Sequence, residues 1–410
     1  MSTRSAQTRL FAFALLSTVF FALLLVHADA SKQQEPSQQQ RPRTVGANQN
    51  TNKTAQPQPT NSPTEEVDEG DVVRVETQLV TVPAVVTDKT GRPISTLRQE
   101  NFTVLEDGQP QRLTNFATTE APFEIALLLD TSGSTREELG LIRDAANAFL
   151  SALRAGDRVA IIGFNNSTSA TGTLATVELL SPLTDKRTVL RTAIATLGTS
   201  NGTPFYDALS RVADEVFRDP PAEQFRGRRA VVALTDGVDS TSNSDYNTAR
   251  AKLARAGIAT YFIQVSTEDY VEDRLLKDCQ DDGRLTLSAK QLERFRQLFV
   301  PNAQKEDYAD FCRLGQFERM DISRQLYHLA RIEMDDMAGA SGGKNFAAAS
   351  LGEARAAFAQ VANEIGTQYS LGYYPSNKTR DGRFRQIKVE LRGVKDANVR
   401  ARDGYYAPKQ

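Results

Sequence analysis

From residue 125 onward the chain alternates short, nearly unbroken apolar runs with longer stretches of helical periodicity. The apolar runs cover 125–129, 159–164, 231–234 and 259–265, and each is continuous rather than alternating, as strands covered on both faces tend to be. Between and after them, 136–153, 186–197, 205–217 and 245–256 read as helices. Strand followed by helix, repeated, predicts an α/β fold with a doubly wound, mostly parallel, Rossmann-like sheet. In such sheets ligands bind where the strands end at their carboxyl termini.

The flanks follow a different period. Val80 and Val82 alternate with Thr81, a turn is predicted at Asp88-Lys89-Thr90-Gly91, and Phe102-Thr103-Val104-Leu105 runs into a second turn at Glu106-Asp107-Gly108. Near the other end, Ile387, Val389 and Leu391 alternate with Lys388 and Glu390. Each flank alone offers few strands and little core, so residues 71–120 and 368–410 are expected to pack together as an accessory β-sandwich-like module. The α/β domain would then span 121–367, interrupted by a charged helical insert at about 268–324 with Phe295, Leu298, Phe299 and Phe311 as apolar anchors. Within the insert, Asp278, Asp281, Asp282 and Gly283 lack the alternating spacing of an EF-hand loop and read as a solvated charge cluster.

Composition changes the picture mainly at the start. Arg4 and Arg9 precede an apolar run over 10–26, and Ala28-Asp29-Ala30 follows as a small-x-small cleavage pattern, so 1–30 reads as a secretory signal. The apolar run also leaves an uncleaved N-terminal membrane anchor open. Residues 31–70, rich in Gln, Pro, Asn, Thr and Ser, are expected to be a disordered linker. Export to the periplasm or the exterior is the expected localisation. There an isolated pair of cysteines, Cys279 and Cys312, is permitted to form one disulfide. A formal net charge of -2 supplies no basic field for nucleic acid. Only His27 and His328 are histidines; His27 lies in the signal, and His328 reads as a packing or surface residue in a helical stretch, leaving little for His-dependent catalysis.

The candidate chemistry lies in three short segments. Asp130, Ser132 and Ser134 stand in Asp-Thr-Ser-Gly-Ser after the first apolar run, Thr203 precedes a helix, and Asp236 follows a later run. Two carboxylates and three hydroxyls make a hard, all-oxygen donor set suited to Mg²⁺, Mn²⁺ or Ca²⁺. Asp130 and Asp236 both fall at the strand ends where a doubly wound sheet binds ligands.

These three segments, in this order, resemble the metal-ion-dependent adhesion site of von Willebrand factor type A (VWA) domains. Asp130-Thr131-Ser132-Gly133-Ser134 matches that family's first loop, Gly202-Thr203-Pro204-Phe205-Tyr206-Asp207 its Thr loop, and Leu234-Thr235-Asp236-Gly237 its Asp loop. Two flanking stretches, Asn101-Phe102-Thr103-Val104-Leu105-Glu106-Asp107-Gly108 and Tyr369-Ser370-Leu371-Gly372-Tyr373-Tyr374-Pro375, resemble wording in exported bacterial VWA-related proteins. The resemblance implies a bound divalent cation with a position open to solvent, completed by an Asp or Glu carboxylate of a partner protein. Asp239 is expected to support the ligands from behind or to cap the next helix. Two other functions stand beside adhesion: a metal-dependent hydrolase, for which Asp207 and Asp239 are the nearby acids, and a structural envelope protein with a non-functional site.

Overall fold

The computed structural model describes residues 79–118, 122–133, 135, 138–169, 172–225, 227–275 and 287–409. The signal, the linker, Ser134, Cys279 and the acidic cluster at 278–282 lie outside them. The described residues fall in one compact unit.

The chain enters through four strands, β1 (Val80–Asp88), β2 (Phe102–Glu106), β3 (Gln109–Gln111) and β4 (Leu113–Ala117). The α/β core follows with β5 (Glu124–Leu129), α1 (Leu139–Ala152), β6 (Arg158–Ser169), β7 (Gly172–Thr184), α2 (Arg187–Ala195), α3 (Phe205–Arg211), β8 (Arg229–Thr235), α4 (Tyr246–Ala256) and β9 (Ala259–Val265). Three helices come next, α5 (Glu268–Leu275), α6 (Ala289–Phe299) and α7 (Gln316–Ser341), then β10 (Lys344–Ala348) and α8 (Ala354–Gly366). Four strands end the chain: β11 (Tyr369–Tyr373), β12 (Phe384–Leu391), β13 (Ala397–Ala401) and β14 (Gly404–Tyr406).

The central sheet has the order β10-β9-β8-β5-β6-β7. Every neighbouring pair is parallel except β6 with the edge strand β7. Along β5, Ile125, Leu127 and Leu129 enter a core shared with α1, α2 and α8, while Ala126 and Leu128 enter another shared with α3, α4 and α7. Burial on both faces explains the continuous apolar runs. At the opposite end of β5 from Asp130, Glu124 accepts from Arg158 at 2.7 Å and Arg229 at 2.8 Å, which pins the three central strands in register.

Several boundaries differ from the sequence expectation for physical reasons. Strand β7 has no continuous apolar run because it is a half-exposed edge; Leu174, for example, points to solvent. The helix expected over 205–217 is α-helical only to Arg211 and continues as a π turn over Val212–Val216. The insert has no boundary at 324, because α7 runs through it. The first half of α7 places Ile322 and Leu326 in a small core with Leu292, Phe295 and Leu314, and its second half places Met334 and Met337 on the central sheet. Phe295 is an anchor as expected, but Leu298 and Phe299 are not, being 55% and 38% exposed. Phe299 nevertheless stacks on Phe295 with ring centroids 5.2 Å apart.

Helix α7 ends at a Gly-Gly turn that must pass close to β9. Gly342 adopts φ +80, and a Cβ on Gly343 would lie 1.8 Å from the Thr260 carbonyl oxygen. Only glycine allows α7 to turn back so tightly into β10.

The flanking strands form two antiparallel sheets, β13-β1-β11-β4 and β14-β12-β2-β3. Val82 and Leu371 from the first meet Val104, Ile387 and Val389 from the second in one core. Buried Glu106 is held there by the hydroxyls of Tyr373 at 2.7 Å and Tyr405 at 3.1 Å. Strand β1 pairs with β11 and β13, so the first described strand is closed into its sheet by the last segments of the chain.

Candidate metal centre

Asp130 and Asp236 directly follow the adjacent parallel strands β5 and β8, and the Asp130 amide donates to the Leu234 carbonyl at 3.0 Å. Thr203 directly precedes Pro204 and α3. The loops are lashed to one another. The Thr203 amide donates to Ser240 Oγ at 2.8 Å, and the Ser240 amide returns a bond to the Thr203 carbonyl at 3.0 Å. Asp207 on α3 accepts from the amides of Asn243 and Ser244, binding the start of this helix to the segment after Asp236. On the other side, the Ser200 amide donates to the Thr131 carbonyl at 2.9 Å.

Asp130, Ser132, Thr203 and Asp236 are thus brought together, each less than a tenth exposed. Asp130 Oδ2 accepts from the Thr235 hydroxyl at 2.7 Å and Oδ1 from the Ser132 amide at 3.0 Å. Burial, and after it the charge of Asp236, push the Asp130 carboxyl up to about 7, against the pull of these hydrogen bonds. Asp236 Oδ1 accepts from the Val238 amide at 3.0 Å, and Oδ2 from the Thr267 hydroxyl at 2.7 Å. The Tyr327 hydroxyl lies 2.7 Å from Thr267 Oγ1 and completes the relay.

Two buried carboxylates that repel each other, beside hydroxyls on separate loops, fit a hard divalent cation. Among the described residues, no group of three or more His, Cys, Asp or Glu is placed to share an ion. Ser132 and Thr203 stand beside the pair, while Ser134, the fifth residue of the expected set, lies outside the described residues.

Asp239 does not cap the following helix. It accepts from the Tyr206 amide at the start of α3 and from the Ser242 amide, whereas Asp245 caps α4 through the Thr248 amide at 2.7 Å. Burial pushes Asp239 up to about 6. His328 is exposed on α7.

The insert folds back over the site, leaving a cleft of about 90 Å³ with Ser132, Thr203 and Asp236 on one side and Val271, Leu326 and Tyr327 on the other. Ser288 Oγ donates to the Ser240 carbonyl at 2.7 Å, and Lys290 Nζ to the Ser242 carbonyl at 2.6 Å, so α6 holds the Asp loop directly. Arg294 donates to the Tyr206 hydroxyl and pairs with Glu333, joining α6 and α7 to α3. Gly237 makes this docking feasible: it adopts φ +78, and a Cβ there would lie 2.5 Å from Met334 Cε of α7.

Thr267 and Tyr327 were not found from the sequence. Thr267 had a usable signal, since it stands just beyond the carboxyl end of β9, beside β8. Tyr327 had none, because its place depends on how the insert folds.

Residues 125–238 match a family model described as von Willebrand factor type A domain. Among solved structures, proximal thread matrix protein 1 from the mussel byssus aligns with TM-score 0.37 and 14% identity over 60% of this chain and 49% of that one. A form of the same mussel protein with a zinc-occupied MIDAS motif gives 0.37 and 14% over 60% and 48%. A von Willebrand factor type A protein from Catenulispora acidiphila gives 0.38 and 10% over 75% and 73%. The chain spans about half the length of the mussel structures it matches. No curated protein matches the sequence significantly. The matched segment contains Asp130, Thr203 and Asp236, and over residues 125–238 the chain is similar to von Willebrand factor type A domains.

Proposed function

We propose that this is an exported, metal-dependent protein-binding protein. Asp130, Ser132, Ser134, Thr203 and Asp236 hold one Mg²⁺, Mn²⁺ or Ca²⁺, and a partner's Asp or Glu carboxylate binds there. The observation that carries this reading is the convergence of two buried carboxylates and two hydroxyls from three loops at one end of the parallel sheet. When bound, the cation offers a coordination position to an anionic oxygen. The chain's own residues supply the rest: Thr235 and Thr267 orient the carboxylates, and the lashing of the Thr and Asp loops sets the spacing of the donors.

Export is supported by the signal-like segment at 1–30, and it is consistent with a bridge between Cys279 and Cys312. No helix among the described residues is long and apolar enough to cross a membrane. Non-enzymatic binding is supported by the two candidate acids, Asp239 and Asp207, each being held by two backbone amides.

Calorimetry on the full chain tests the reading. About one ion should bind per chain, Asp236→Ala should bind it far more weakly, and capture of a partner should fail in EDTA and in Asp130→Ala. Equal metal affinity of wild type and Asp236→Ala would place the ion elsewhere.

A further inference from the structure

The cleft beside Asp236 contains one hydroxyl that no described residue satisfies. Ser323 lies on α7 one turn before Tyr327, so both face the same side of the helix. It is 1% exposed, its Oγ has no hydrogen-bond partner among the described residues, and it lines the same cleft as Ser132, Thr203 and Asp236. Mid-helix serines commonly bond back to a carbonyl of the preceding turn, and Ser323 does not. A hydroxyl kept buried and unpaired, facing a site rather than the core, marks a place where a ligand atom completes it.

We propose that Ser323 is a ligand-contacting residue and that the ligand is a carboxylate on an aliphatic stem, with one oxygen on the metal ion and the other accepting from the Ser323 hydroxyl. This rests on the metal-binding reading above. The number of acceptors is the reason. Among the described residues, Ser323 Oγ is the one fully buried side-chain polar atom of this cleft without a partner, and together with the ion it matches the two oxygens of a carboxylate. The additional oxygens of a phosphate or sulfate would face the aliphatic side chains of Val271, Leu275 and Leu326.

The same aliphatic wall selects the stem. With about 90 Å³ beside the donors, the cleft fits a narrow aliphatic acid better than an aromatic one. Each methylene brought against Val271 and Leu326 strengthens binding by up to about fourfold. On a partner protein, a glutamate side chain therefore binds more tightly than an aspartate. The insert, whose helices carry Val271, Ser323 and Leu326, is then the half of the site that chooses the ligand, while the three loops hold the ion.

The test uses the full chain loaded with Mn²⁺ and reads the paramagnetic broadening of the proton resonances of acetate, propionate, butyrate and benzoate, with inorganic phosphate as a competitor. Affinity should rise from acetate to butyrate, benzoate should not bind, and phosphate should not displace butyrate. Ser323→Ala should weaken butyrate about tenfold, leave Mn²⁺ affinity unchanged and leave the melting temperature unchanged or raised, since it removes an unpaired polar group. Val271→Ala should flatten the chain-length trend. Unchanged butyrate affinity in Ser323→Ala would show that the hydroxyl holds only water and would overturn the proposal, as would a fall in melting temperature that accounts for the lost binding. If wild type binds no Mn²⁺, the metal reading fails first, and that outcome is distinct from loss of the Ser323 effect on a loaded protein.

Discussion

The Thr267 hydroxyl donates to Asp236 Oδ2 across 2.7 Å, tying the end of β9 to the carboxylate at the end of β8. A hydrogen bond of this kind fixes the direction of a metal-binding oxygen before the ion arrives. Partners in this position typically contribute about 10- to 100-fold to metal affinity. Thr267→Val, which preserves shape and removes the donor, should therefore weaken Mg²⁺ binding by about that factor while circular dichroism stays the same. Titration calorimetry on the two proteins is the check, and equal affinities would remove Thr267 from the site.

A second relay fastens the insert. The Tyr206 hydroxyl donates to Glu333 Oε2 at 2.5 Å, and Arg294 pairs with Glu333 Oε1 at 2.5 Å. Glu333→Ala would leave the Tyr206 hydroxyl and the Arg294 guanidinium without their carboxylate. Because Arg294 keeps some solvent contact, the loss should be roughly 2 to 3 kcal/mol, below the range for fully buried pairs. Urea denaturation measures it; a change under about 0.5 kcal/mol, as for ordinary surface substitutions, would mean the relay does not hold the insert.

How far the sequence alone reached can be judged residue by residue. The parallel core was legible because Ile125, Leu127 and Leu129 face one helical layer while Ala126 and Leu128 face the other, and burial on both faces leaves an unmistakable apolar run. Strand β7 was not, since an edge strand with Leu174 in solvent has no such run. At the site, Asp130, Thr203 and Asp236 were recognisable from local wording at strand and helix ends. Tyr327 and Ser323 come from a helix far along the chain, and their arrival beside Asp236 is decided by the packing of Ile322 and Leu326 against Leu292 and Phe295. That is a tertiary outcome with no local signature.

The cysteines give a prediction about the insert. Cys312 is not a free thiol, and Cys279 is the other cysteine of the chain, although it lies outside the described residues. A bridge between them would close a loop worth about 3 to 4 kcal/mol in the chain-entropy account. Reducing agent should lower the denaturation midpoint of wild type and leave Cys312→Ser unaffected. Two alkylatable thiols in non-reduced protein, found by mass spectrometry, would rule the bridge out.

The paired carboxylates make stability depend jointly on pH and metal. In the folded, metal-free chain Asp130 holds its proton up to about 7, against an ordinary value of 3.8, because it is buried and faces Asp236. Between those values the folded state carries more protons than the unfolded one, so metal-free stability falls as pH rises through that window. A divalent cation reverses the cost, since the ionised pair is what it binds, and it competes with the proton at low pH. The gap in melting temperature between Mg²⁺ and EDTA should accordingly be small near about pH 5 and wide near about pH 8, with most of the change below about pH 7. Asp130→Asn removes the titrating group and one anionic donor together, so it should be more stable than wild type in EDTA at about pH 8 and should gain almost nothing from Mg²⁺. Differential scanning calorimetry at the two pH values decides the matter: a gap of equal size at both would show that Asp130 is already ionised at about pH 5, and that Asp236 does not raise its affinity for the proton as the buried geometry requires.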